Sequence, residues 1–131
     1  MKHVFRVLTL LYIVAVAVFC FANFSSLPVT HGRFFGIETD KLIHFSMFLP
    51  FPILVSLSFP PASRKWLARV GALMLYLLTG CVLAAVTEYI QGQLPYRTMD
   101  PRDFVADVCG MVVAIVIVIV FWVRRRGRSN A

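Results

Sequence analysis

The chain has 131 residues, 60% of them hydrophobic, a formal net charge of +7 and a mean hydropathy of +0.82. Apolar runs of membrane-spanning length at this composition exclude a soluble globular domain. Four spans of about 20 residues each use most of such a chain, so one integral domain over residues 1–131 is expected, with little left for a separate catalytic module.

The first span is expected from Val7 to Ala22, after Lys2 and Arg6 and before the polar Asn23, Ser25 and Ser26. A signal peptide begins in the same way, but a bulky Phe21 between Cys20 and Ala22 makes a poor cleavage site, so a retained anchor is expected. The second span, Leu42 to Phe59, barely crosses a hydrocarbon core of about 30 Å at a rise of about 1.5 Å per residue. Pro50 and Pro52 donate no backbone hydrogen bonds and crowd the carbonyls of Ser46 and Phe48, which predicts a kink near its middle. A tight turn from Pro60 to Lys65 leads to the third span, Leu67 to Ile90, and the fourth runs from Phe104 to Val123. Arg124, Arg125, Arg126 and Arg128 stop the fourth span, and Trp66 and Trp122 occupy matching membrane boundaries.

Four spans put Lys2, Arg6, Arg64, Lys65, Arg69, Arg124, Arg125, Arg126 and Arg128 on one face, nine cations with no carboxylate. The other face holds Arg33, Lys41, Arg97 and Arg102 with all six carboxylates, Glu38, Asp40, Glu88, Asp100, Asp103 and Asp107. Cations resist translocation, so the expected fold is an all-α four-helix transmembrane bundle, N-in/C-in, with the acid-rich face outward. This split accounts for the net charge without any nucleic-acid partner. Cys20, Cys81 and Cys109 are odd in number and lie within spans, so no disulfide framework is implied.

The outward polar residues carry more order than connecting loops require. Asp40 or Thr39 can cap the second span, and Lys41 and His44, three apart, share a face of its first turn. Glu88 and Gln91 have the same separation near the end of the third. Asp100-Pro101 signals a helix start, after which Asp103 and Asp107, four apart, point the same way. Asp100 reads first as an N-cap, and Asp103 as a complement to the helix dipole. Glu88 and Asp107 within apolar segments read as functional, because ionisable groups there are expensive. Arg97 is their natural bidentate partner, from a loop able to fold over the bundle end. Gly80 and Ala84 beneath Glu88, and Gly110 and Ala114 beneath Asp107, predict close packing of the third span on the fourth. No cysteine sits at metal-ligand spacing, and neither a metal nor a cofactor is assigned from the sequence.

The ordered set Asp40-Lys41-Leu42-Ile43-His44, then Thr87-Glu88-Tyr89-Ile90-Gln91, Arg97, and Asp103 to Gly110 closely resembles the VanZ-like membrane proteins, across three of the four spans. The resemblance implies a bacterial plasma (inner) membrane location and a compact multi-helix protein. The family takes its name from a protein that lowers susceptibility to the glycopeptide teicoplanin, and the resemblance implies no reaction. Two positions depart from the family pattern: Asp107 stands where Asn is common, and Phe48 where a Tyr often follows the histidine by four residues.

The leading expectation is an outward-facing polar pocket of Lys41, His44, Glu88, Gln91, Arg97, Asp103 and Asp107, supported by Asp40, Asp100 and Gly110. Its expected ligand is a membrane lipid or envelope glycolipid head group, with Arg97 and Lys41 meeting an anionic group. No G-x-S-x-G or comparable nucleophile motif is present, so enzymatic activity is left open. Proton-coupled transport or an oligomeric channel component, a structural or interaction role for a buried ion-pair network, and, as a minor fourth reading without dedicated ligand spacing, a metal site are the alternatives on the same residues.

Overall fold

A computed structural model describes residues 2–23, 33–34, 36–63 and 65–129. Ser25, Ser26, His31 and Arg64 lie outside the described residues, as do the side chains of Arg33, Arg126 and Arg128. Among the described residues five helices form: α1 (Lys2–Phe21), α2 (Thr39–Phe48), α3 (Pro50–Ser58), α4 (Trp66–Gln91) and α5 (Pro101–Ser129). With α2 and α3 taken as one broken span, four helical segments are long and apolar enough to cross a membrane: Lys2–Phe21, Thr39–Ser58, Trp66–Gln91 and Pro101–Arg125. The protein is thus an all-α multi-pass membrane protein, and among the described residues a small antiparallel pairing joins β1 (Arg33–Phe34) to β2 (Ile37–Glu38), turned at Gly36 with φ +81.

The prolines break the second span where their missing donors dictate. Leu49 ends α2 and begins α3 with helical angles, its N–H still reaching the Phe45 carbonyl at 3.1 Å, while Pro50 opens the next helix. At the start of α2 the capping expectation is corrected. Glu38 occupies the N-cap with extended angles and makes no side-chain cap, while Thr39 and Asp40 are already within the first turn.

α5 packs most extensively on α2, then on α4 and α3, while α1 lies against α3 and α4. Phe48, Phe51, Ala84 and Met111 form the core under the acid-rich end, and Leu73, Tyr76 and Val118 form a second core towards the other end. Leu10, Leu78, Val82, Val105 and Val116 point outward, as hydrocarbon-facing positions do. Gly80 sits against Met111 and Phe51, in keeping with a close α4–α5 approach, but Gly110 sits against the α2 backbone at Phe45 and Leu49. The expectation that Gly110 joins the third and fourth spans is therefore corrected: its missing Cβ admits α2. A small residue licenses close approach without specifying the neighbour.

The two ends of the bundle differ in charge. Arg6 lies over the Phe59 ring, Arg69 over Trp122 and Arg125 over Phe121, with centroid distances of 5.2, 5.4 and 4.7 Å, all at one end. Near that end the Thr9 and Ser58 hydroxyls pair at 2.8 Å. The carboxylates collect at the opposite end, where α2 and α5 begin and α4 finishes.

Candidate functional site

The α2–α5 seam brings Lys41 and His44 onto Asp103 and Asp107. Lys41 Nζ stands 2.5 Å from Glu38 Oε2, 3.1 Å from Asp100 Oδ2 and 3.4 Å from Asp103 Oδ1. The i,i+3 spacing of Glu38 and Lys41 signalled the first of these contacts, although Glu38 escaped the sequence-based pocket. His44 Nδ1 lies 3.1 Å from Asp107 Oδ1, and Nε2 faces Asp103 Oδ2 at 3.9 Å. His44, Asp103 and Asp107 are buried, whereas Asp40 is half-buried beside them.

Asp100 links this cluster to α4. Its backbone N–H donates to Glu88 Oε2 at 3.3 Å, while its Oδ1 accepts from the Arg102 N–H at 2.9 Å, with Pro101 at the first helical position. Those contacts hold the Asp100 carboxyl below its ordinary pKa, the Arg102 N–H acting most strongly and the Lys41 ammonium next. Glu88 and Asp107 are 5% and 0% exposed, yet Glu88 Oε1 and Asp107 Oδ2 have no hydrogen-bond partner among the described residues. Two desolvated carboxylate oxygens thus lack donors, an arrangement proteins rarely tolerate without a proton, water or ligand to fill it.

Gln91 and Arg97 go elsewhere. Gln91 Nε2 donates to the Cys20 carbonyl at 3.1 Å, Arg97 Nη2 to the Phe19 carbonyl at 3.2 Å, and the Tyr96 hydroxyl to the Phe21 carbonyl at 2.9 Å. A helix's last turn presents carbonyls beyond the reach of its own amide ladder, and three side chains from the end of α4 and its following loop donate to those of α1. Among the described residues Arg97 makes no ion pair, so the expected Arg97–Glu88 and Arg97–Asp107 pairing is corrected. A guanidinium favours the C-terminal end of a helix as well as a carboxylate. Tyr96 was missed by the sequence reading, and no local spacing would have revealed its role.

Beside the cluster, Phe19 of α1 and Thr39, Leu42, Ile43, Ser46 and Met47 of α2 line an open groove of about 360 Å³. The Tyr12 hydroxyl donates to the Met47 carbonyl nearby, fastening α1 to α2 below the groove.

A family model described as VanZ/LLP1 matches residues 7–122 of the chain. The chain belongs to the VanZ/LLP1 family. The match runs from the first turns of α1 to the end of the apolar stretch of α5, so both the α1 clasp and the α2–α5 cluster of this VanZ/LLP1 protein fall within it. No curated protein and no solved structure matches the chain.

Proposed function

We propose that this VanZ/LLP1 protein is a single-domain plasma-membrane protein with both termini cytoplasmic, whose outward end receives the polar head group of an envelope lipid or glycolipid. The observation that carries the reading is the pair of buried, donorless oxygens Glu88 Oε1 and Asp107 Oδ2. Head-group hydroxyl or ammonium groups are donors of the kind those oxygens lack. The adjoining groove is largely apolar and opens beside the first turns of α2, giving an acyl chain a place next to the polar cluster.

Lys41 and Arg97 are already engaged, Lys41 by three carboxylates and Arg97 by the α1 terminus, so recognition runs through head-group donors. The basic aromatic-lined end supports the cytoplasmic assignment of both termini. Beneath Asp107 the described core is closed by Phe48, Phe51, Ala84 and Met111, which favours a head-group site over a proton path across the bilayer. Altered teicoplanin susceptibility is the cellular phenotype to examine.

The test is mass spectrometry of lipids retained by the purified full chain. An envelope lipid enriched over the bulk membrane is expected, and Glu88→Gln, which carries its own donor into the orphan position, is expected to lose that enrichment. Retained lipid that merely mirrors the bulk membrane would overturn the reading. A C-terminal alkaline phosphatase fusion is expected to be inactive; an active fusion would reverse the orientation.

A further inference from the structure

Asp40 and His44 stand one turn apart on α2, and the third ligand, Asp103, joins them only when α2 meets α5. One ligand atom each from Asp40, His44 and Asp103 lies within 4.8 Å of the other two. We propose that these three side chains hold a first-row divalent cation, with Asp107 orienting the imidazole from behind.

The geometry distinguishes a metal site from a simple ion-pair network at His44. Its Nε2 faces Asp103 Oδ2 at 3.9 Å, too far for a hydrogen bond. With ligand bonds of about 2.0–2.2 Å, a tetrahedral cation holds two donors about 3.3–3.6 Å apart, so the pair has only to close by a few tenths of an ångström to share one. The opposite ring nitrogen, Nδ1, is taken by Asp107 Oδ1 at 3.1 Å. A carboxylate on the far nitrogen fixes the tautomer of a ligating histidine, aims its ring and raises its basicity, as carboxylates behind metal-bound imidazoles commonly do. Lys41 meets Asp103 through Oδ1, which leaves Oδ2 for the cation.

Charge points the same way, from a separate observation. Among the described residues, Asp107 Oδ2 belongs to the carboxyl that holds His44, is fully buried and has no hydrogen-bond partner; Glu88 Oε1, whose carboxyl meets the Asp100 N–H through its other oxygen, is in the same condition. Around these groups stand Glu38, Asp40, Asp100 and Asp103, and among the described residues Lys41 and His44 are the cationic or protonatable partners in ion-pair contact with them, with Arg102 beside Asp100. The cluster is short of positive charge where desolvation makes that shortage most costly. A dication supplies it. One imidazole with two carboxylates suits Zn²⁺ or Mn²⁺, whereas an all-oxygen shell would favour Ca²⁺ or Mg²⁺. Three protein ligands leave further coordination positions open. On the head-group reading those positions would accept a phosphate or sugar oxygen, but the cation site itself does not rest on that reading.

Isothermal titration of the chelator-stripped full chain in detergent with Zn²⁺, without added lipid, tests the site. One saturable site per chain is expected. Asp103→Asn and Asp40→Asn are expected to abolish measurable binding, and Asp107→Asn to weaken it about 10- to 100-fold. Circular dichroism of each variant establishes that it is folded. Co²⁺ absorption of the unmodified chain gives a readout that needs no variant, with d–d bands expected from a site holding a nitrogen ligand. No saturable Zn²⁺ binding, Co²⁺ bands matching those of the free ion, or unchanged affinity in folded Asp40→Asn and Asp103→Asn would each overturn the proposal. Zn²⁺ binding with no lipid enrichment would leave the cation site standing and remove the head-group reading.

Discussion

A methyl group at Gly110 would collide with the Phe45 carbonyl oxygen and stand 3.2 Å from the Leu49 nitrogen. Both are backbone atoms, so no rotamer change relieves the contact. Helices α2 and α5 must part by on the order of 1 Å to recover an ordinary separation of about 3.5 Å. Overpacking of this kind costs about 1–3 kcal/mol, and alanine offsets about 1 kcal/mol through its helix propensity. Gly110→Ala is therefore expected to give no gain in stability and a loss of up to about 2 kcal/mol. The same displacement stretches the His44–Asp107 contact from 3.1 Å beyond hydrogen-bond range. Gly71→Ala provides the control, since an added Cβ there meets nothing within 4 Å and only the propensity gain of about 1 kcal/mol applies. Unfolding of the purified chain in mixed detergent, followed by circular dichroism, measures both. Equal stabilisation by Gly71→Ala and Gly110→Ala would refute the α2–α5 seam as described.

Asp107→Asn exchanges a buried, half-partnered carboxylate for a neutral amide whose oxygen can still accept from His44; unfolding is expected at the same or higher denaturant, while Zn²⁺ affinity falls. Arg97→Met and Tyr96→Phe each remove a donor from the α1 terminus, and a loss of about 0.5–1.5 kcal/mol should appear as faster amide hydrogen exchange over residues 20–23. Asp100 titrates below its ordinary pKa when folded, so its contribution is present above the usual aspartate range and disappears as pH falls through the lowered value. Asp100→Asn should accordingly flatten the part of the acid unfolding curve below about pH 4, as fluorescence of Trp66 and Trp122 against pH would record. A curve of unchanged shape would count against that account.

The spans and the kink were legible because they depend on composition and on proline's missing donor, both local properties. Span limits were less so: α1 starts at Lys2 and α5 runs to Ser129, because charged residues at membrane edges continue a helix that hydropathy alone ends early. Lys41, His44, Asp103 and Asp107 were readable from three- and four-residue spacing on helices that both begin at the same end. Helix pairing was not, since Gly110 and Gly80 both advertise close approach while only the fold chooses α2 for one and α4–α5 contact for the other. Arg97 and Gln91 were assigned to the pocket because their chemistry suits carboxylates. Their actual acceptors are main-chain carbonyls, which every residue carries and no side-chain pattern marks.

The clasp on α1 also orders assembly. Its three hydrogen bonds join residues separated by 71, 75 and 78 positions, and each donor lies in or beyond the last turn of α4. During synthesis α1 can pair with the second span through Tyr12 and Thr9, but its final carbonyls depend on interfacial water until the segment through Arg97 has been made. That end of α1 is thus fastened only once α4 is complete, and an interruption before Arg97 would leave it unclasped.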